Sequence, residues 1–322
     1  MRARLFSCLK EEDPIEPFDR GGITTTTIET GSNGDYSNQL FFDLSQNNVV
    51  KTVNRLTWDL AFESSPTGTI IRMNTASKMQ ASKTGFTHMD SIMDLTSHPL
   101  KFDWDRANGM ADSMALSSWI VGGVPTQEVF VIDLGETPSF SFRGYKKMQI
   151  QSVTNTEYTI AYSDINGDNY QLLTIAKDPS VNHTCFTFSG TGSATNLEPN
   201  KDDWDLLFSQ YMHTFHDSDP PVSYSVNGVL LNPLNVKAAK VFDKAFAEIS
   251  MADVANYTLT NQLDVIGYNW KLFDFDTDIY QIQSGQNYII KDRKGFYYKI
   301  RFIDFYSVSG IKGYPKFEFE KL

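Results

Sequence analysis

Hydrophobic and polar residues alternate along most of this chain, which is the pattern of half-buried β-strands. In the stretch WDLAF, Trp58, Leu60 and Phe62 occupy alternate positions and share one predicted face. The stretch WDLLF, at residues 204–208, repeats the arrangement. Both stretches are therefore predicted to be strands, with Trp58 and Trp204 in equivalent core positions.

A hairpin is predicted near the C-terminus. The alternating stretches 288–291 and 296–306 flank the turn residues 292–295, as two paired strands would. Residues 235–249 have apolar side chains near helical spacing, but the start of this segment also fits a strand, and both interpretations remain open. Because long helices do not alternate with strands in this pattern, it favours an all-β fold with little helix over a doubly wound α/β fold.

The Trp-Asp stretch belongs to a set of features that recur in one order. A strand opened by Asn comes before each copy, a short strand closing on Asn follows, and a Trp strand and a Lys-bearing strand come last. The matched members are Asn38 with Asn182, residues 70–74 with 223–227, Trp119 with Trp270, and Lys147 with Lys299. This order predicts a tandem duplication, with a tether over 1–35, a first antiparallel β-rich module over 36–164 and a second over 165–322.

Composition limits the partners that this chain would take. The formal net charge is −11 and the sequence contains no basic cluster. We therefore expect neither nucleic-acid binding nor membrane binding through a polybasic surface. No stretch approaches the roughly 18 apolar residues of a membrane span. Contact with a membrane is therefore expected only through a lipid anchor.

The chain has two cysteines with different expected roles. Cys185 lies in an alternating strand pattern, which predicts a buried, inert thiol. Cys8 follows Leu5, Phe6 and Ser7, an order similar to a bacterial lipobox, although the usual apolar stretch before it is short. These residues leave two interpretations open: Cys8 is acylated, or it is a free cysteine in an ordinary N-terminal tail.

The C-terminal part of the chain resembles the HmuY family of haem-binding surface lipoproteins. The resemblance is carried by DVIGYNWKLFD, by YIIKDRKGFYYKIRFIDFYSVSGIKGYPKFEFE and by the two Trp-Asp strands. It implies an all-β fold, here in two tandem modules, and an outer-membrane lipoprotein at the cell surface or periplasmic face. It also implies acylation at Cys8 and haem scavenging for delivery to an outer-membrane receptor.

The resemblance implies that two His or two Met side chains from loops hold the haem iron, and both residue types are common axial ligands. His and Met side chains concentrate between Asn74 and Trp119. The expected pair is one of His88 and Met89 with one of Met110 and Met114, although each Met alone is more typical of packing.

A secondary set of haem-ligand candidates follows the second Trp-Asp strand, at Met212, His213 and His216. If that strand continues, Met212 and His216 share one face. Solvated loop histidines are the alternative interpretation. At most one haem per chain is expected, in the N-terminal half.

The sequence offers no argument for an enzyme. It has no Gly-x-Ser-x-Gly elbow, no Gly-rich phosphate loop and no His-Glu-x-x-His helix. Asp59 and Asp205 recur in both copies, where a structural hydrogen bond is expected. The predicted function is a non-enzymatic haem carrier. The alternative is a β-rich surface module that keeps the fold and binds a non-haem ligand, either a glycan or a protein.

Overall fold

The computed structural model of the protein describes residues 21–96, 98–217 and 219–322. In this part of the chain, strands and short 3-10 helices are the regular elements. The strands of the first half are β1 (Thr24–Thr27), β2 (Asn38–Asp43), β3 (Asn48–Asn54), β4 (Leu60–Glu63), β5 (Ile71–Met73), β6 (Gln80–Lys83), β7 (Ile120–Val121), β8 (Val124–Pro125), β9 (Val129–Asp133), β10 (Tyr145–Val153) and β11 (Glu157–Ser163).

The second half continues the same antiparallel architecture. Its strands are β12 (Gln171–Ala176), β13 (His183–Thr187), β14 (Ser193–Thr195), β15 (Leu206–Phe215), β16 (Val222–Leu231), β17 (Lys237–Val241), β18 (Lys271–Asp274), β19 (Ile279–Ile282), β20 (Asn287–Lys291), β21 (Tyr297–Tyr306) and β22 (Lys312–Lys321). The 3-10 helices are Ser32–Gly34, Thr75–Ser77, Met89–Ser91, Ala111–Ser113, Ser117–Trp119, Phe246–Glu248 and Met251–Asn256. The all-β prediction is confirmed.

Four main sheets form two sandwiches. In the first sandwich, the sheet β14-β13-β4-β5 packs on the sheet β12-β11-β10-β9-β6. Leu60 and Phe62 from one sheet meet Phe130, Met148 and others from the opposing sheet in a single core. Alternate residues of each strand enter this core because successive side chains of a strand point to opposite faces.

The second sandwich has the same plan. The sheet β16-β15-β2-β3 packs on the sheet β1-β22-β21-β20-β17. Its core joins Phe42 and Phe208 to Phe317 and Phe319, with ring centroids 5.4–6.3 Å apart around Phe42. The predicted C-terminal hairpin is present as β20 and β21, and segment 235–249 begins as strand β17.

The two sandwiches have one pairing order, displaced by eleven strands along the chain. Each strand of the first sandwich matches the strand of the second whose number differs by eleven: β4, β5, β6, β9, β10 and β11 match strands later in the chain, and β12, β13 and β14 match β1, β2 and β3. The first sandwich is built from residues 60–195, whereas the second takes β1 to β3 from the start of the chain. Residues 24–27, which were predicted to belong to the tether, are strand β1. The sequence boundary at 164/165 remains a prediction, and the sandwiches divide the chain elsewhere.

The Trp-Asp stretches lie at the same corner of each sandwich. Asp59 and Asp205 are fully buried. Their backbone N–H groups donate to Phe186 and Phe42, at 2.7 and 2.8 Å, immediately before strands β4 and β15 begin. The carboxylates accept from Arg143 and Arg293, which agrees with the predicted structural role.

The predicted position of the two tryptophans in the sandwich cores is wrong. Trp58 is only partly buried, and Trp204 packs with Phe41 and Val53 outside the core that holds Phe208. The reason is that each Trp precedes its strand, so the period-two alternation does not extend to it. Trp119 and Trp270, by contrast, are buried in the two cores.

The asparagine that matches Asn74 in the second sandwich is Asn232, and not the predicted Asn227. Asn74 Nδ2 donates to the carbonyl of Trp58 at 2.8 Å, and Asn232 Nδ2 donates to that of Trp204 at 2.6 Å. Asn227 lies within β16, which is ten residues long, whereas β5 has three. Matching the two short sequence patterns therefore selected the wrong part of the longer strand.

Candidate functional site

The two sandwiches meet through the outer faces of their four-stranded sheets. Residues of both sheets, among them Phe41, Ala61, Cys185 and Leu207, line an internal cavity of about 120 Å³ between the sandwiches. Cys185 is buried, as predicted, and burial raises the pKa of its thiol. A cysteine in this setting is inert packing.

His88 and Met89 lie on the outer side of the first sandwich. Met89 packs against Ile92, Val129 and Val131, and its carbonyl accepts a hydrogen bond from Lys147 at 2.9 Å. His88 is exposed at the start of the short helix Met89–Ser91. This face is opposite to the one that carries Phe130 and Ile132 into the sandwich core.

Met110 and Met114 lie elsewhere. Met114 is buried and lines the internal cavity, while Met110 is 39% exposed and lines a neighbouring surface pocket. The structure therefore does not bring either of them into one pocket with His88 or Met89. Joint haem ligation by such a pair stays a prediction that needs a rearrangement of these loops.

The secondary candidates separate at the end of β15. Met212 is buried and lines a surface groove. His213 is half-buried against Tyr268, with ring centroids 4.7 Å apart, and burial lowers the pKa of its imidazole. His216 is exposed beyond the last residue of β15, Phe215, so the strand does not continue far enough to place it on a face with Met212.

The groove that contains Met212 lies between the two sandwiches and has a volume of about 810 Å³. We call it the Met212 groove. Its aromatic lining residues are Tyr36, Trp104, Phe140, Tyr224 and Tyr280, and its cationic ones are Arg55, Lys78 and Lys312. Phe140 is 79% exposed at its edge. Both sandwiches contribute, so no single stretch of sequence carries the site.

Some charged side chains and aromatic rings of the Met212 groove already interact with neighbouring residues. Lys78 forms an ion pair with Glu136 at 2.5 Å and lies 5.6 Å from the Phe140 ring centroid. Arg55 donates through Nη1 to the carbonyl of Ala76, but its buried Nε has no acceptor among the described residues. Tyr36 stacks on Phe305, and its hydroxyl has no partner in the part of the chain that the structure describes. Burial raises the pKa of that hydroxyl.

One histidine that the sequence analysis missed lies in a structured site. His183 opens β13, is buried, and its Nδ1 lies 2.7 Å from Glu198 Oε1. Its ring borders both the internal cavity and the pocket of Met110. The signal in the sequence was weak, because Glu198 is separated from His183 by a turn-rich segment.

None of the helices between residues 21 and 322 that the structure describes has the length and apolar character of a membrane span. Within the same described residues, His, Cys, Asp and Glu side chains do not gather into a group of three that could hold a metal ion.

Several solved structures are similar to this chain. Apo PinO from Porphyromonas gingivitis is 10% identical, with 94% of this chain and 98% of that chain covered and a TM-score of 0.31. The apo HmuY analog of Tannerella forsythia is 10% identical over 94% and 98%, at a TM-score of 0.27. An HmuY-like protein from Bacteroides vulgatus, described as a putative heme-binding protein, is 13% identical over 92% and 90%, at 0.20.

A comparison with curated proteins finds no match. The model of the HmuY protein family matches residues 35–319 in a single span that crosses both sandwiches. The tandem arrangement of two family units remains a prediction. Because the match covers most of the sequence, this chain belongs to the HmuY family.

Proposed function

We propose that this protein is a non-enzymatic surface carrier that binds one haem in the Met212 groove. The observation that carries the proposal is the buried thioether of Met212 in a groove lined by aromatic rings and cations from both sandwiches. The HmuY family is a binding and carrier family, which agrees with this role.

The lining of the groove suits each part of a haem. The porphyrin is flat and apolar, and rings such as Trp104 and Phe140 offer faces for stacking. Arg55 and Lys312 offer charges for the two propionates. A methionine sulfur is a common axial ligand of haem iron. The volume of about 810 Å³ also lies within the range of roughly 300–1,000 Å³ for ligand sites.

Haemin titration of the purified protein, followed at the Soret band, tests this proposal. We expect a saturable change at one haem per chain. Met212→Leu removes the sulfur and nearly keeps the volume, so it should weaken binding at least about tenfold, as the loss of groups around a bound metal does. Met114→Leu and Met110→Leu are matched controls that change the same chemistry elsewhere.

Each other outcome of the titration assigns the site differently. Weaker binding with Met110→Leu, Met114→Leu, His88→Ala or Met89→Leu would return the haem to the first half of the chain. Weaker binding with His213→Ala or His216→Ala would move it to the end of β15. No saturable change would exclude haem and favour the second candidate function, a glycan site, for which the exposed ring of Phe140 is the supporting feature.

The membrane anchor is the second part of the proposal. Cys8 lies outside the described residues, and the lipobox-like order around it supports acylation there. The lipid would hold the carrier at the outer membrane, next to a haem receptor. Labelling cells with a clickable fatty acid tests the anchor: Cys8→Ser should lose the label, whereas an unlabelled natural protein would contradict it.

A further inference from the structure

A second opening between the sandwiches shares Ala76 and Gln210 with the lining of the Met212 groove and is otherwise lined by different residues. It consists of an outer pocket of about 410 Å³ and the internal cavity of about 120 Å³, which adjoin at Arg72, His183 and Leu263. We call both spaces together the Arg72 pocket. Met110 and Lys201 line its outer part, and Trp204 and Tyr211 line its inner part.

Arg72 forms no ion pair with any residue in the described part of the chain. Its side chain lies on β5, pointing away from the core residues Ile71 and Met73. Its Nε is buried and has no acceptor within residues 21–96, 98–217 and 219–322. Burial lowers the pKa of its guanidinium, and the nearby carboxylates of Glu198, Asp105 and Glu63 oppose this effect. A cation in this position is incompletely compensated.

The three neighbouring carboxylates are committed to other donors. Asp105 accepts from the backbone N–H groups of Met73 and Ala115, at 2.5 and 2.8 Å. The oxygens of Glu198 accept from His183 and from the backbone of Asn182. These bonds hold the carboxylates in place, so they are not free to rotate and pair with Arg72.

Glu63 is engaged in the same way. One of its oxygens accepts from Ser65 Oγ at 2.9 Å, and the other accepts from the backbone N–H groups of Thr69 and Ile70. The guanidinium is thus surrounded by fixed acceptors that already have donors. An acceptor from a bound ligand or from solvent would give the buried Nε the partner that the described residues do not supply.

Further donors without acceptors line the inner cavity. Trp204 is 2% exposed and Tyr211 is 5% exposed, and neither Trp204 Nε1 nor the Tyr211 hydroxyl has a partner among the described residues. At the mouth, Lys201 adds a second cation that forms no ion pair within the described ranges. Three buried donors of the pocket, on Arg72, Trp204 and Tyr211, therefore have no acceptor among the described residues.

Apolar side chains form much of the outer wall, namely Ile70, Met110, Val181, Leu234 and Leu263. The cations of the lining are Arg72, Arg106 and Lys201, and its carboxylates, Glu63, Asp105 and Glu198, are the ones already bonded to other donors. Cations beside apolar walls fit an anion that carries a hydrocarbon body better than an inorganic ion. We propose that the Arg72 pocket binds a small organic carboxylate, with its carboxylate on the Arg72 guanidinium and its apolar part against Leu263 and Met110.

Benzoate is a suitable probe, and benzamide is its uncharged counterpart of nearly the same shape. Calorimetric titration of the full chain should give saturable benzoate binding with a Kd of about 1 mM or tighter. Benzamide should bind at least about tenfold more weakly, because it cannot form a charge-assisted pair with a guanidinium. Equal binding of both probes, or none of benzoate, would overturn the proposal.

Arg72→Met tests the residue itself. It should weaken benzoate binding about tenfold to a hundredfold, the cost of a lost hydrogen bond to a charged group, without lowering the thermal midpoint of the ligand-free protein. Arg55→Met is the matched control, since Arg55 also has a buried Nε without an acceptor but lines the Met212 groove. It should keep benzoate binding intact.

The outcomes separate this inference from the proposed haem function. Arg72→Met should leave the haemin titration unchanged, so failure of one site says nothing against the other. If Arg72→Met unfolds the protein or lowers its midpoint markedly, Arg72 is a structural residue and the pocket proposal is wrong. Unchanged benzoate binding in that variant would have the same meaning.

Discussion

The two sandwiches contain the same corner, but its arginine is more deeply buried and has one more carboxylate partner in the second. In each sandwich, an aspartate that follows a tryptophan accepts a hydrogen bond from an arginine. This arginine precedes β10 in the first sandwich and β21 in the second. The first pair, Asp59 and Arg143, is 2.6 Å long, and the arginine side chain is 19% exposed. In the second pair, Asp205 and Arg293, the distance is 2.7 Å and the arginine is 3% exposed.

The difference arises from one neighbouring position. Arg293 also pairs with Asp43 at 3.0 Å, which makes a buried triad. In the first sandwich the matching position holds Thr187, whose hydroxyl donates to Asp59 at 3.0 Å. One topology therefore accepts either a triad or a simple pair, because the fold needs only that the buried carboxylate has donors.

A buried lysine in each sandwich shows a similar contrast. Lys147 and Lys299 occupy matching strands, and both donate to a loop carbonyl, those of Ile92 and Ile249. Lys299 also pairs with Glu320 at 2.9 Å, whereas the residue opposite Lys147 is Ser163. Burial lowers the pKa of Lys147. Both lysines therefore hold a loop through its carbonyl, and only Lys299 also has a carboxylate partner.

The largest expected effect concerns the two arginines. Arg293→Met would leave Asp43 and Asp205 buried without their cation, which should cost roughly 3–5 kcal/mol of unfolding free energy. Arg143→Met leaves one carboxylate, which keeps its bonds to Thr187 and Phe188 and should lose about 1–3 kcal/mol. Urea unfolding of both variants measures this, and equal losses would mean that the triad adds nothing.

The second prediction concerns Lys271, which follows Trp270 just as Ile120 follows Trp119. Lys271 is 4% exposed, donates to the carbonyl of Asn227 and lies 4.1 Å from the Trp270 ring centroid. Burial lowers its pKa to about 7. Between pH 7 and the ordinary lysine value, the unfolded chain binds more protons than the folded one, so this group makes stability rise with pH.

Lys271→Ile, which copies the first sandwich, removes this dependence. From pH 7 to pH 9 the unfolding free energy of the natural protein should increase relative to that of the variant by roughly 2 kcal/mol. Comparing the two proteins cancels the titration of other groups. Parallel pH profiles in urea unfolding would show that the Lys271 amine stays charged in the fold.

The smallest expected effect concerns the partner of Lys299. Glu320→Ser gives the second sandwich the arrangement of the first, and we expect a loss of about 1 kcal/mol because the carbonyl of Ile249 remains as an acceptor. Glu318→Ser is the control, since its partner Arg301 has a side chain that is 42% exposed and such pairs contribute about 0–1 kcal/mol. A larger loss for Glu318→Ser would contradict this ranking.

Local features of the fold were predictable from short stretches of sequence. Alternation identified the strands that begin at Leu60 and Leu206, and the polar run 292–295 identified the turn of the C-terminal hairpin. It failed at Trp58 and Trp204, because a period of two holds only while the backbone is extended. Residue type alone selected Met89 and Met114 as candidate ligands, and the structure places them on opposite sides of the first sandwich. The path of a loop depends on tertiary packing, which residue type does not reveal.

The sequence by itself determined the β class, the positions of most strands and the recurrence of the Trp-Asp corner, because these depend on neighbouring residues and backbone pleating. Only the tertiary structure decided that β4 pairs with β13, that β15 pairs with β2 and that β1 closes the last sheet. Strand pairing joins residues far apart in the chain and is set by which faces bury together. For the same reason the Met212 groove and the Arg72 pocket, whose walls come from both sandwiches, exist only in the folded chain.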